Sequence, residues 1–195
     1  MFKDRHDAGR QLAKKLEGYR DSDAVVLALP RGGVVVGYEI AQALKLPLDI
    51  IIVRKIGHPN NPEYAIGVVD EKGVTILNEQ ETRAINQAWL GEEIERQRQE
   101  ALRRVCTYSG GRTPLSLAGK IAILVDDGIA TGLTMRLAVK AVKGQHPKKI
   151  IVAVPVAPSG AADTLRQESA DEIIVLLPPE EFLGAVGAHY QKFEQ

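Results

Sequence analysis

The chain has 195 residues, 45% of them hydrophobic, with 25 Lys and Arg balanced by 25 Asp and Glu. This is enough apolar material for one domain with a core, and a formal charge of zero excludes a general attraction to nucleic acid or anionic membrane. The single Cys106 excludes an internal disulfide, and Cys106, His6, His58, His146 and His189 lack zinc-ligand spacing; with no signal peptide and no apolar run near the ~20 residues of a membrane helix, a cytoplasmic protein without a membrane partner is expected.

Asp4 to Gly18 reads as an amphipathic helix with Ala8, Leu12 and Leu16 on one stripe. Ala24 to Leu29 is a buried-strand pattern, Pro30-Arg31-Gly32-Gly33 breaks it, and Val34 to Leu44 looks helical. Leu48 to Val53 is the next strand, and Arg54 to Glu63 reads as a polar loop rich in Pro, Asn and Gly. Ala65–Val69 and Val74–Leu77 flank Asp70-Glu71-Lys72-Gly73, a hairpin signal. Glu79 to Val105 predicts a long, charged helical segment with Glu92/Arg96 and Glu100/Arg104 as i, i+4 pairs. Its partial apolar stripe (Ile85, Trp89, Ile94, Leu102, Val105) suits packing against the domain or a second subunit. Cys106 to Pro114 reads as loop, followed by a strand over 121–125, a helix near 132–144, a strand over 149–154, a helix near 159–169 and a strand over 172–177. The tail from Pro178 to Gln195 is loop with some helix. Strands alternating with helices predict an α/β fold whose central, mostly parallel sheet is covered on both faces. The expected organisation is one domain over 1–195, with a helical insertion at about 79–105 and a small C-terminal subdomain at about 178–195.

The most informative stretch is Ile121-Ala-Ile-Leu-Val-Asp126-Asp127-Gly128-Ile129-Ala130-Thr131-Gly132-Leu133-Thr134. A strand–turn–helix junction leaves backbone N–H groups free at the helix start, which favours an anion. Gly128 and Gly132 let the backbone curl around that anion, and Thr131 and Thr134 add hydroxyl donors. The paired carboxylates of Asp126 and Asp127 suit a vicinal diol, met directly or through a metal's waters. One phosphate beside one diol outlines ribose 5-phosphate. A nucleotide P-loop is excluded, because Leu133 stands where that motif needs Lys and the glycines are too close.

Val125 to Thr134 resembles the phosphoribosyl pyrophosphate (PRPP) signature of type I phosphoribosyltransferases. The resemblance implies that Asp126 and Asp127 hold the ribose hydroxyls, also meeting Mg²⁺ through water, and that Gly128, Ile129, Ala130, Thr131, Gly132, Leu133 and Thr134 wrap the 5-phosphate. Pro30-Arg31-Gly32-Gly33, at the end of the first strand, offers N–H groups and a forked cation to a phosphate. It is similar to the family's pyrophosphate loop, which implies a strained or cis peptide near Pro30–Arg31–Gly32. Arg54 and Lys55 end the second strand and resemble the Arg-Lys of orotate-type members, which adds two cations for the diphosphate; the next loop, with His58, departs from that pattern.

Thr107-Tyr108-Ser109-Gly110-Gly111-Arg112 is similar in position to the family's flexible catalytic loop, which gives Tyr108 a catalytic role in excluding water. The C-terminal subdomain then corresponds to the family's base-binding hood, with Phe182 the candidate ring for stacking and Tyr190, Phe193 and Pro155-Val156-Ala157 as alternatives. The resemblance thus implies a Mg²⁺-dependent transferase moving the phosphoribosyl group of PRPP to a nitrogen acceptor, a nucleobase first, with a homodimer as the family's habit. The alternative is a PRPP-sensing regulator that binds RNA or DNA, against which the balanced charge argues. A diphosphokinase-like relative would need an ATP motif that the chain lacks.

Overall fold

The computed structural model describes residues 1–110 and 114–194. Helix α1 (Arg5–Lys15) starts at Asp4, whose side chain accepts the Asp7 N–H at 2.8 Å. It ends before the expected Gly18, and a 3-10 turn over Glu17–Tyr19 follows. Strand β1 (Val25–Ala28) and helix α2 (Gly32–Leu44) come next, so α2 begins earlier than its apolar pattern implied and takes in both glycines. The expected strand 48–53 is two elements. β2 (Leu48–Ile50) pairs with β1, and Ile51 N–H still reaches the Ala28 carbonyl at 3.0 Å. The chain then turns into β3 (Val53–His58), the first strand of a separate antiparallel sheet.

The predicted loop 54–63 is therefore β3, a tight turn, and the start of β4 (Asn61–Asp70). Register shifts on either side of Gly57 make room for Pro62, whose carbonyl oxygen would lie 2.3 Å from any Cβ at Gly57. The second hairpin is as expected: Asp70 Oδ1 accepts the N–H groups of Lys72 and Val74 at the turn into β5 (Thr75–Leu77). The predicted helix 79–105 is broken. α3 (Glu79–Thr82) stops, and Asn86 starts α4 (Gln87–Ser109) by accepting N–H bonds from Ala88 and Trp89 at 2.9 and 3.1 Å. α4 overruns the expected loop at 106–109, because the first residue suited to end it is Gly110, with φ +55.

The remaining elements fall close to expectation: β6 (Ile121–Val125), α5 (Leu133–Lys143), β7 (Lys149–Val154), α6 (Ala161–Gln167) and β8 (Glu172–Val175). Five strands form a wholly parallel sheet in the order β2-β1-β6-β7-β8. Side chains alternate across it. Val26, Ile123 and Ile151 meet Leu12, Val36 and Ile40 of α1 and α2 on one face. Leu27, Leu124 and Val152 meet Met135, Val139 and Leu165 of α5 and α6 on the other. Ala28, Val125 and Ala153 are register partners across the three central strands, so the loops that follow them emerge side by side at the carboxyl edge. Among the described residues no helix is long and apolar enough to cross a membrane.

Asn86→Ala should lower unfolding free energy by about 1 kcal/mol through loss of the α4 cap. Amide exchange should accelerate over the first turn of α4 before it does in the parallel sheet; equal protection in mutant and wild type would show that the cap does not hold that end.

Candidate functional site

Gly132, at φ +79, starts α5, and no side chain caps that helix. Its first N–H groups thus open toward the loop 126–132. Gly128 is needed for close approach: a Cβ there would lie 2.6 Å from Val186 Cγ1 and 2.7 Å from Val156 Cγ2. Ile129 N–H donates to the Val156 carbonyl at 2.9 Å, which pins the loop to the segment after β7.

The acid pair and the first-strand turn form one unit. The Pro30–Arg31 peptide is cis, where the resemblance placed such a bond. Gly32 and Gly33 form the first turn of α2. A Cβ on Gly33 would stand 2.8 Å from the Val125 carbonyl oxygen and 2.9 Å from Asp126 Cα; one on Gly32 would stand 1.9 Å from Asp127 Oδ2. The two glycines are thus required by the two acids lying against them, as well as for exposing N–H groups.

The acids have different surroundings. Asp126 faces the cleft, and its Oδ1 accepts the Asp127 N–H at 2.8 Å. Burial, and next the Asp127 charge, push its carboxyl well above the usual carboxylate range. Asp127 Oδ2 accepts from Arg5 Nε at 2.7 Å, with the two side chains 15% and 14% exposed. The Arg5 guanidinium lies 4.0 Å from the centroid of the Phe193 ring and donates to the Glu194 carbonyl. Tyr190 hydroxyl donates to the Asp127 carbonyl at 2.6 Å, and burial first, then Asp127, push that phenol up. Asp127 is thereby tied to both ends of the chain. Neither Arg5 nor a hydroxyl role for Tyr190 was legible in the sequence.

A cleft of about 830 Å³ opens along this edge. Asp126, Gly128, Ile129, Ala130, Thr131, Gly132 and Thr134 line one side, with Arg54 and Lys55 of β3 on another. Pro30 brings the first-strand turn to the lining, while Arg31, Gly32, Gly33, Asp127 and Leu133, the first residue of α5, are close to lining residues in sequence but not in the lining themselves. The third wall is α4, through Trp89, Glu92, Glu93, Arg96, Gln97 and Arg104. The sequence placed α4 against the domain or a second subunit and missed this wall. Burial, and next the charge of Arg104, lower the pKa of Arg54.

Two expected site residues are elsewhere. Tyr108 is exposed in the last turn of α4, which continues because Thr107 to Ser109 contain no helix breaker; Gly111 and Arg112 of the expected loop lie outside the described residues. The Phe182 ring stacks on His189, with centroids 5.4 Å apart, and packs beside Phe2, Val156 and Tyr190 instead of lining the cleft. The tail satisfies its own aromatic surface first.

A parallel sheet whose strand ends gather an uncapped helix start, the Asp126 carboxyl and cations around one cleft is an α/β arrangement with a ligand site at its carboxyl edge. The family model described as "Phosphoribosyl transferase domain" matches residues 3–191, and the chain belongs to that family. Two Mycobacterium tuberculosis proteins, provisionally named phosphoribosyl transferases, are 41% identical over 197 aligned positions, covering 100% of this chain and 44% of theirs. The chain therefore spans less than half the length of those relatives. The crystal structure of TT1426 from Thermus thermophilus is 41% identical with a TM-score of 0.80, covering 100% of this chain and 92% of that one. The purine phosphoribosyltransferase of Pyrococcus horikoshii shares the fold at 18% identity and a TM-score of 0.50, over 88% of this chain and 81% of its own.

Arg5→Met should destabilise the fold by about 2–3 kcal/mol, since it strands a largely buried carboxylate. Arg5→Met combined with Asp127→Asn should cost less than the two single changes summed. Additive losses in denaturant titrations would show that the pair does not interact.

Proposed function

We propose that the chain transfers the 5-phosphoribosyl group of PRPP to a nitrogen acceptor and releases pyrophosphate. One observation carries this reading: the uncapped start of α5 opens on the same cleft as the Asp126 carboxyl. In it, residues 128–134 take the 5-phosphate through main-chain amides and the Thr131 and Thr134 hydroxyls. Asp126 takes the ribose hydroxyls, and Asp127, held by Arg5, fixes the Asp126 main chain against Gly33. Arg31, Gly32 and Gly33 meet the diphosphate from the α2 side, and Arg54 and Lys55 from β3.

Among the described residues no cluster of three or more His, Cys, Asp or Glu could cage a metal. Of the acid pair only Asp126 lines the cleft, with Asp127 already engaged by Arg5, and the lining carboxyls of Glu92 and Glu93 stand on the α4 wall; one carboxyl beside the phosphate-binding turn suits a hydrated Mg²⁺ held mainly by ligand oxygens. Asp126 is the residue that would meet its water shell, and the ion would neutralise charge on the departing diphosphate. The chain's own contribution is positioning and electrostatics: the cations face the leaving group as the C1–O bond breaks, and the α4 wall limits water at the ribose. A nucleobase is the acceptor class proposed; Phe182 would have to leave His189 before it could stack on one.

Pyrophosphate release from PRPP with Mg²⁺, measured across nucleobases and amines, tests the reading. Release with one acceptor supports it. PRPP binding without turnover by any acceptor, together with a salt-dependent nucleic-acid shift, would support the sensing alternative instead. Asp126→Asn should weaken PRPP binding about tenfold or more while keeping the Oδ1 contact to Asp127 N–H and hence the fold. Unchanged affinity would remove Asp126 from the sugar site.

A further inference from the structure

The cations on the α4 side of the cleft are arranged in a way the signature motif does not require. Arg54 is half-buried in β3, and its Nε donates to Gln97 Oε1 at 3.1 Å. Gln97 Nε2 donates to Glu93 Oε1 at 2.9 Å, and Glu93 is only 7% exposed. This relay fixes the Gln97 amide with its oxygen toward Arg54. It also holds Arg54 by one nitrogen, leaving both terminal nitrogens of the fork, among the described residues, for the cleft that Arg54 lines. Arg104 lines the same cleft two turns further along the same face of α4, 29% exposed and paired with Glu100 at 2.8 Å.

Like charges surround the fork. Arg104, Arg103 and Arg96 all act against the charge of Arg54, and Glu100 acts for it. Arg54 stays protonated despite this. Guanidinium groups gathered at a partly desolvated wall repel one another, and an anion entering between them removes that cost. A flat cation fork aimed by a buried amide–carboxylate relay suits a phosphate oxygen pair better than a ring or a sugar hydroxyl.

We propose that α4 supplies part of the diphosphate subsite: Arg104 binds the diphosphate together with Arg54, and Gln97 and Glu93 are positioning residues that aim Arg54. This rests on the PRPP reading of the cleft and extends it to a helix with no part in the signature.

The test uses the full chain with two probes, ribose 5-phosphate and inorganic pyrophosphate, titrated separately by calorimetry. Arg104→Ala should weaken pyrophosphate about tenfold or more and leave ribose 5-phosphate within about twofold. Arg104→Lys should restore part of the loss, as a point charge replaces a fork. Gln97→Leu should weaken pyrophosphate by about three- to tenfold with the same ribose 5-phosphate affinity; the Arg104 variants should melt near wild type, and Gln97→Leu somewhat below it, because Glu93 Oε1 loses its donor. Pyrophosphate affinity unchanged in Arg104→Ala overturns the proposal, as does an equal loss of both probes, which would mean a structural role for the helix. Wild-type protein that binds ribose 5-phosphate but not pyrophosphate overturns this proposal and leaves the phosphate loop standing. Binding of neither probe overturns the reading of the cleft and this proposal with it.

Discussion

The site depends on one steric constraint: the end of β6 lies directly on the turn that follows β1. Ala28 and Val125 are register partners in adjacent parallel strands, so the residues after them have to share the same space. They can do so only because the β1 side presents no side chains at Gly32 and Gly33, leaving room for Asp126 and Asp127. The chemistry of the two segments is therefore joined by packing. An anion held by the start of α2 and a sugar held by Asp126 would be positioned by the same contact, with no flexible linker between them. Placement of this kind is what positional catalysis needs, since small displacements of reacting groups cost large factors in rate.

The constraint propagates outward through Asp127. Its carboxylate is shared with Arg5, its carbonyl with Tyr190, and Arg5 in turn lies on Phe193. The first and last parts of the chain meet there, reinforced by main-chain bonds between Phe2 and His189, Gln191 and Phe2, and Lys192 and Lys3. A tail with few regular elements is thereby given a fixed seat. Val186 lies against Gly128 of the loop 126–132, so the order of the tail and the shape of that loop are one packing problem. Loss of Arg5 would be felt in the loop even though Arg5 does not line the cleft.

What was legible in the sequence was what is contiguous. Residues 121–134 carry strand, acids, turn and helix start within one window, and each signal is local, so the junction was readable. The parallel sheet followed from strong apolar runs. The β3–β4 hairpin was not, because Gly57, Pro59 and Pro62 are loop residues by composition; Pro59 does stay in the turn, but Gly57 and Pro62 become strand residues where a bulge accommodates them. The end of α4 was misplaced for the opposite reason: Thr107, Tyr108 and Ser109 are polar but do not break a helix, and Gly110 does. Arg5 and Tyr190 were out of reach in principle. They meet Asp127 across 122 and 63 residues, and nothing in a helical Arg or a tail Tyr marks its partner.

Formal neutrality conceals the most consequential separation of charge. Summed over the chain, acids and bases cancel, and most of the α4 cations are matched within one turn by acids, as in Arg98 with Glu95 and Arg103 with Glu100. Such exposed pairs contribute little to stability. An imbalance arises where α4 meets β3, because Arg54 enters a cluster already matched and, among the described residues, forms no ion pair of its own. A global charge balance argues correctly against a long polyanion lying over the whole surface. It says nothing about a compact anion in a cleft, where one unmatched guanidinium held at a partly buried wall outweighs many solvated pairs.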